Sequence, residues 1–198
     1  MHVEKIELKY EDNIGIFHFD DHLALNSLLN SEISRCGSKK SSDNPTQENH
    51  NITGINFYNS RNYSFLRLKK WVEYCVKKFM SVDANKLNGV IFEDIWANRY
   101  EKGDYIRKHR HLPNTYAFVY FVQSTKDHPP LSFDGSYFSF QGKDGDLIVF
   151  NASLWHHVEK NMIELPRITI SGNIQSTSVL SPNYENHNSN LSMFNIPT

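Results

Sequence analysis

Apolar positions along the chain follow two rhythms, and the change between them divides it. In the first part they recur every three or four residues. Leu23, Leu25, Leu28, Leu29 and Ile33 make one such stripe behind Asp20-Asp21 and ahead of Cys36-Gly37, which predicts a capped helix. Phe65, Leu66, Leu68, Trp71, Val72, Cys75, Val76 and Phe79 make a stronger one with Lys and Arg between them, predicting an amphipathic helix over 64–82 with one face against a sheet. Ahead of both, the loose alternation of Val3, Ile6, Leu8 and Tyr10, and then Phe17 and Phe19, predict short strands.

From residue 88 onward the chain reads as strands and turns. Val90 to Tyr100 is a candidate strand closed by Lys102-Gly103-Asp104, and Tyr116 to Gln123 is an apolar run suited to a strand covered on both faces. Leu131-Phe133 and Tyr137-Phe140 flank Asp134-Gly135, a hairpin dipeptide. Gly145-Asp146 leads into Leu147-Ile148-Val149-Phe150, and Arg167 to Ile174 alternates between Ile and polar residues. Many short strands after helices, with no strand–helix–strand rhythm, predict a mainly β protein: an antiparallel barrel or sandwich with the N-terminal helices packed outside. The 198 residues read as a single domain. Residues 1–87 are its helical and stranded N-terminal support, 88–175 its core and 176–198 a tail with a frayed end; within the support, 37–51 is polar and unanchored, hence a mobile loop.

Composition narrows the class of partner. A formal net charge of -1 with 22% charged residues argues against a nucleic-acid or membrane surface. Cys36 and Cys75 have no paired spacing, and no apolar run is long enough to cross a bilayer, so a reduced, cytoplasmic protein is expected, of unreadable oligomeric state.

Against this background His109-Arg110-His111 stands out. On extended backbone the two imidazoles point the same way, a clamp suited to a metal; the competing reading is a polar strand edge in a chain with ten histidines. His156-His157 follows a buried strand and a turn, where a third ligand would close a facial set, and either ring suits that place. On Arg167-Ile168-Thr169-Ile170-Ser171-Gly172-Asn173, period two puts Arg167, Thr169, Ser171 and Asn173 on one face. A guanidinium beside hydroxyls fits an organic carboxylate, and an outward polar edge fits the pattern equally. Asn98 and Tyr100 share a face on the preceding strand. Three neutral imidazoles suit Fe, Cu, Ni or Zn and leave coordination positions open.

The order of these pieces resembles the Fe(II)- and 2-oxoglutarate-dependent oxygenases, in particular the prolyl-hydroxylase-like group. The pieces are Trp96-Ala97-Asn98-Arg99-Tyr100 with Gly103, His109-Arg110-His111, the strand ending Val119-Tyr120-Phe121-Val122, Gly145 to Phe150 leading to His156 and Val158, and Arg167 to Asn173. The resemblance implies a double-stranded β-helix, or jelly-roll, core. It implies an enzyme that hydroxylates a C–H bond of an amino acid, peptide or small metabolite while O2 and 2-oxoglutarate are consumed and succinate is released. It assigns the Fe(II) ligands to His109, His111 and His156, with His156 preferred over His157 because the family's distal histidine stands two residues before a valine. It assigns the far carboxylate of 2-oxoglutarate to Arg167, helped by Thr169 or Ser171, and the lining of that pocket to Asn98 and Tyr100. The departure is His111, where most of the superfamily has Asp or Glu; Asp104 has the wrong strand parity to replace it. Two other readings stay open. A cupin-type three-histidine dioxygenase without a keto acid would use Gly103 ahead of the His-x-His and Gly145 ahead of His156, though the glutamate expected after the first block is missing. A non-catalytic metal- or small-molecule-binding barrel is the other.

Overall fold

A computed structural model describes residues 3–7, 13–37, 39–40, 48–49, 51–52, 56–80, 89–135 and 138–176. The chain opens with strands β1 (Val3–Glu7) and β2 (Asn13–His18), then helix α1 (His22–Cys36). Three two-residue strands follow, β3 (Lys39–Lys40), β4 (Glu48–Asn49) and β5 (Asn51–Ile52), and then helix α2 (Tyr63–Phe79). Eight strands complete it: β6 (Val90–Tyr100), β7 (Tyr105–His109), β8 (Tyr116–Gln123), β9 (Leu131–Phe133), β10 (Phe138–Phe140), β11 (Asp146–Asn151), β12 (His156–Val158) and β13 (Arg167–Ser176). None of the described helices is long and apolar enough to cross a membrane.

The strands form two antiparallel sheets, one ordered β1-β2-β11-β8-β13-β6-β5-β3 and the other β10-β9-β12-β7-β4. This is the expected double-stranded β-helix. Its larger sheet is apolar on both faces because both are covered. Phe118, Tyr120 and Val122 of β8 and Leu147 and Val149 of β11 pack against Leu25, Leu29, Leu68, Val72 and Val76 of the helices. The alternate residues Ala117, Val119, Phe121, Ile148 and Phe150 pack against Ile106, Leu131, Phe133 and Val158 of the smaller sheet. Gly172 lets β13 pass close to its neighbours: a Cβ there would lie 2.5 Å from Phe118 Cε1 and 2.7 Å from the Asp94 carbonyl oxygen.

Several expectations are corrected. In α1 only Leu25, Leu29 and Ile33 of the predicted stripe are buried, while Leu23 and Leu28 are 75% and 51% exposed, because a helix on a sheet buries one narrow face. Asp21 makes no capping hydrogen bond; its carboxylate accepts instead from Arg67 of α2 at 2.7 Å, tying the helices together. The stretch expected as an unanchored loop over 37–51 carries paired strands: β3 pairs with β5, β5 with β6 and β4 with β7. Backbone pairing needs no apolar side chains, so polarity alone misread it. Residues 41–47 of that loop, and 177–198 of the predicted tail, lie outside the described residues; Ser176 closes β13.

Candidate metal centre and anion pocket

The two sheets do not touch along their whole length. Between them lies a cavity of about 250 Å³, walled by β6, β8 and β13 on one side and by β7, β9, β12 and His111 on the other. Its larger-sheet wall follows from register. On β6 and β13, Tyr100 stands opposite Arg167, Asn98 opposite Thr169, Trp96 opposite Ser171 and Asp94 opposite Asn173. Period two turns these rungs to the inter-sheet side, while Ile168, Ile170 and Ile174 join the helix-side core.

On the opposite wall β12 pairs with β7, bringing His156 opposite His109. His111 lies just beyond the end of β7, after the turn-forming Gly103 (φ +91°) has started the strand. The three ring centroids are 4.3–5.1 Å apart, and one ring nitrogen of each lies within 4.8 Å of the others. Among the described residues no carboxylate joins this group, so the predicted three-histidine cluster is what the fold assembles. His109 Nδ1 donates to the Arg107 carbonyl at 2.9 Å, and His156 Nδ1 donates to the Leu154 carbonyl at 2.9 Å. Each bond fixes the tautomer and leaves Nε2 as the bare lone pair. His111 Nε2 lies 3.3 Å from His156 Nε2, so the two nitrogens share either a proton or a cation. Burial is the main cause that keeps the rings neutral: it lowers His109, pushes His111 down to about 4, helped by the nearby His109, and holds His156 well below the usual imidazole range. Neutral, convergent imidazoles are the protonation state a metal requires.

His157 faces elsewhere. Its Nδ1 donates to Asp134 Oδ1 at 2.8 Å, an acid also paired with Lys108, so it belongs to the outer surface of the smaller sheet. Asp104 is buried in the turn before β7, where its carboxylate accepts the Glu101 N–H at 2.9 Å and its carbonyl accepts from Asn161.

Arg167 is the unusual member. It is 1% exposed, and among the described residues no carboxylate or carbonyl accepts from its Nε, Nη1 or Nη2; its polar neighbour is the neutral Tyr100 phenol. Burial lowers its pKa; the Tyr100 phenol opposes that shift, and the Tyr100 and Phe121 rings lie 5.0 and 5.1 Å from the guanidinium carbon. Aromatic faces offset only part of what desolvating a cation costs. Asn98 organises the middle of the wall: its Nδ2 donates to Ser171 Oγ at 2.9 Å and Thr169 Oγ1 at 3.3 Å, and its Oδ1 accepts the Trp96 indole N–H at 3.0 Å. Asn98, Tyr100, Arg167 and Ser171 line the cavity; Thr169 is fully buried and does not. The sequence reading missed Asp94 and Trp96 as lining residues, although the parity that marked Asn98 and Tyr100 runs through both.

Compared by sequence, the chain matches no protein-family model and no curated protein. Compared by structure, it is similar to many solved chains. A prolyl-4-hydroxylase from Pseudomonas putida superposes with a TM-score of 0.62 at 15% identity, over 82% of this chain and 91% of that one. The viral collagen prolyl hydroxylase from Paramecium bursaria Chlorella virus-1, solved as a 2-oxoglutarate complex, gives 0.60 at 16% identity over 80% and 94%. HygX from Streptomyces hygroscopicus, solved with nickel and 2-oxoglutarate, gives 0.64 at 9% identity over 83% of each chain. The chain has the double-stranded β-helix fold that these 2-oxoglutarate oxygenase structures share.

Proposed function

We propose that this protein is a non-haem Fe(II)- and 2-oxoglutarate-dependent oxygenase, with His109, His111 and His156 as metal ligands and Arg167 as the anchor of the keto acid. The observation that carries the proposal is a fully buried guanidinium that no anion among the described residues neutralises, in the same cavity as three convergent imidazoles. A buried cation with no anion is costly, so the pocket is built for a ligand that brings the anion. The keto acid does so, because its far carboxylate can take two guanidinium N–H bonds at once. The structural neighbours support this reading, since their complexes contain 2-oxoglutarate with nickel in one case and Fe3+ with α-ketoglutarate in another.

The donor set fits the metal: two rings are oriented by backbone carbonyls with Nε2 presented, and all three are neutral. When bound, the iron supplies oxygen activation coupled to oxidative decarboxylation of the keto acid. The chain supplies the rest. Arg167 and Tyr100 hold the carboxylate end, with Ser171 beside them on the wall and Thr169 acting only through Asn98, which fixes the rung. Ile106, Leu131 and Val158 of the opposite wall, with Val119 beside Ser171, exclude water. The cavity lies just below the usual range for small-molecule pockets, about 300–1,000 Å³, which suits a small keto acid and the reacting part of a small-molecule or peptidyl substrate. The buried guanidinium favours this reading over a three-histidine dioxygenase that uses no keto acid. In the direct test, succinate forms from 2-oxoglutarate only with Fe(II) and O2, and His109→Ala abolishes it. Metal-loaded protein that fails to bind 2-oxoglutarate would overturn the proposal.

A further inference from the structure

The inward ladder of β6 and β13 has two polar ends. Arg167 and Tyr100 form one; Asp94 and Asn173 form the other, six residues along β6 and so about 20 Å away along the strand. Trp96, whose ring centroid is 6.1 Å from that of His111, lies between them, so Asp94 is on the side of the histidine cluster remote from Arg167. The two ends also have opposite needs. Asp94 lines the cavity, and Asn173, 8% exposed and outside the lining, hydrogen-bonds its carboxylate; Asp94 Oδ1 and Asn173 Oδ1 remain buried acceptors without a partner among the described residues. Burial raises the Asp94 pKa, and polar contacts from Asn173 offset part of that. A register shift directly after Asn173 interrupts the ladder, the kind of irregularity that re-aims side chains beside a site.

We propose that Asp94, held by Asn173 behind it, is the primary-substrate subsite of this cavity, recognising a positively charged hydrogen-bond donor, an alkylammonium or guanidinium group. A cavity-lining carboxylate with an unpartnered oxygen is complementary to a cation that donates N–H bonds. The charge balance agrees. Three neutral ligands leave a divalent metal uncompensated, and Arg167 adds another positive charge, so a dianionic keto acid still leaves the cavity net positive. A cationic substrate enters such a site only against a dedicated anion, which Asp94 supplies. The assignment of this end to the primary substrate rests on the oxygenase reading above; the cation preference itself does not.

The test uses the full chain, metal-free and loaded with Zn(II) and 2-oxoglutarate. The probes are N-acetyl-L-lysine methylamide, N-acetyl-L-arginine methylamide and the uncharged N-acetyl-L-norleucine methylamide. Binding is followed by the NMR signal of the Trp96 indole N–H, assigned with Trp96→Phe. The cationic probes are expected to shift that signal and to bind about tenfold more tightly than the norleucine probe. Asp94→Asn should remove the preference, and so should Asp94→Ser, which decides the matter where the first does not fold. Equal binding of all three probes, no binding, or a preference that survives Asp94→Asn overturns the proposal and leaves the two oxygens to water. Failure of the oxygenase reading shows separately, as loss of 2-oxoglutarate binding while the cation preference persists in metal-free protein.

Discussion

On one face of β13, Ile168, Ile170 and Ile174 sit in an apolar core against the helices; on the other, Arg167 and Ser171 line the cavity between the sheets, with Thr169 and Asn173 buried on the same face. The helix-side core holds close-packed apolar side chains, as a region selected for stability does. The inter-sheet side is different. Of the buried side-chain atoms without a partner among the described residues, all but Ser124 Oγ belong to Asp94, Arg167 and Asn173. One strand thus carries an apolar face and a polar one, and unmet polar groups mark the second.

The largest expected effects test that division within β13 itself. Ile170→Ala should cost about 2–5 kcal/mol of folding stability by opening a cavity, read by denaturant unfolding, with 2-oxoglutarate affinity of the folded protein kept. Arg167→Met should do the reverse: 2-oxoglutarate affinity falls about a hundredfold or more in calorimetry. The metal-free protein holds its stability or gains about 1–4 kcal/mol, because an uncompensated buried cation is gone. If Arg167→Met destabilises as much as Ile170→Ala, the two faces are not distinct.

A smaller contrast concerns adjacent histidines. Outer partners of metal ligands are worth about 10–100-fold in affinity, so His156→Ala should lower metal affinity beyond that range. His157→Ala should leave it unchanged and remove only an outer contact with Asp134, worth at most about 1 kcal/mol. Equal losses would place both rings in one site.

The smallest effect is a pH slope of the metal-free protein. Unfolded imidazoles titrate near 6.5, whereas burial holds the folded His109 and His156 lower and His111 at about 4. Between those values the unfolded chain binds more protons, so this contribution to stability is present above pH 6.5 and lost as pH falls toward 4. Thermal melts across that window should show the decline, and His111→Asn should flatten it. A stability that rises as the pH drops would contradict the burial of the cluster.

Much of this was legible in the amino-acid pattern. The bounds of β6 and β8 follow from alternation and from an apolar run, because both strands lie inside a sheet where burial dictates residue type. His109 and His111 were legible from shared strand parity, whereas a turn into the neighbouring strand suited His156 and His157 alike, and only the family resemblance favoured His156. Less visible was whether Arg167 faced in or out, since period two gives the face and not its direction. The strands at 39–40, 48–49 and 51–52 were hidden because backbone pairing leaves no apolar trace. Asp94 was hidden in plain parity with Asn98 and Tyr100; what distinguishes it is an oxygen with no partner, a property that only three-dimensional packing creates.

The proposed function requires one metal and one keto acid to share the cavity between the three histidines and Arg167. Anaerobic addition of Fe(II) and then 2-oxoglutarate tests it most directly, through the visible charge-transfer absorption that needs both on one metal. The account predicts a band in the wild type that requires both components and, at the same 2-oxoglutarate concentration, is lost in Arg167→Met. No band in the wild type, or an undiminished band in Arg167→Met, would contradict it.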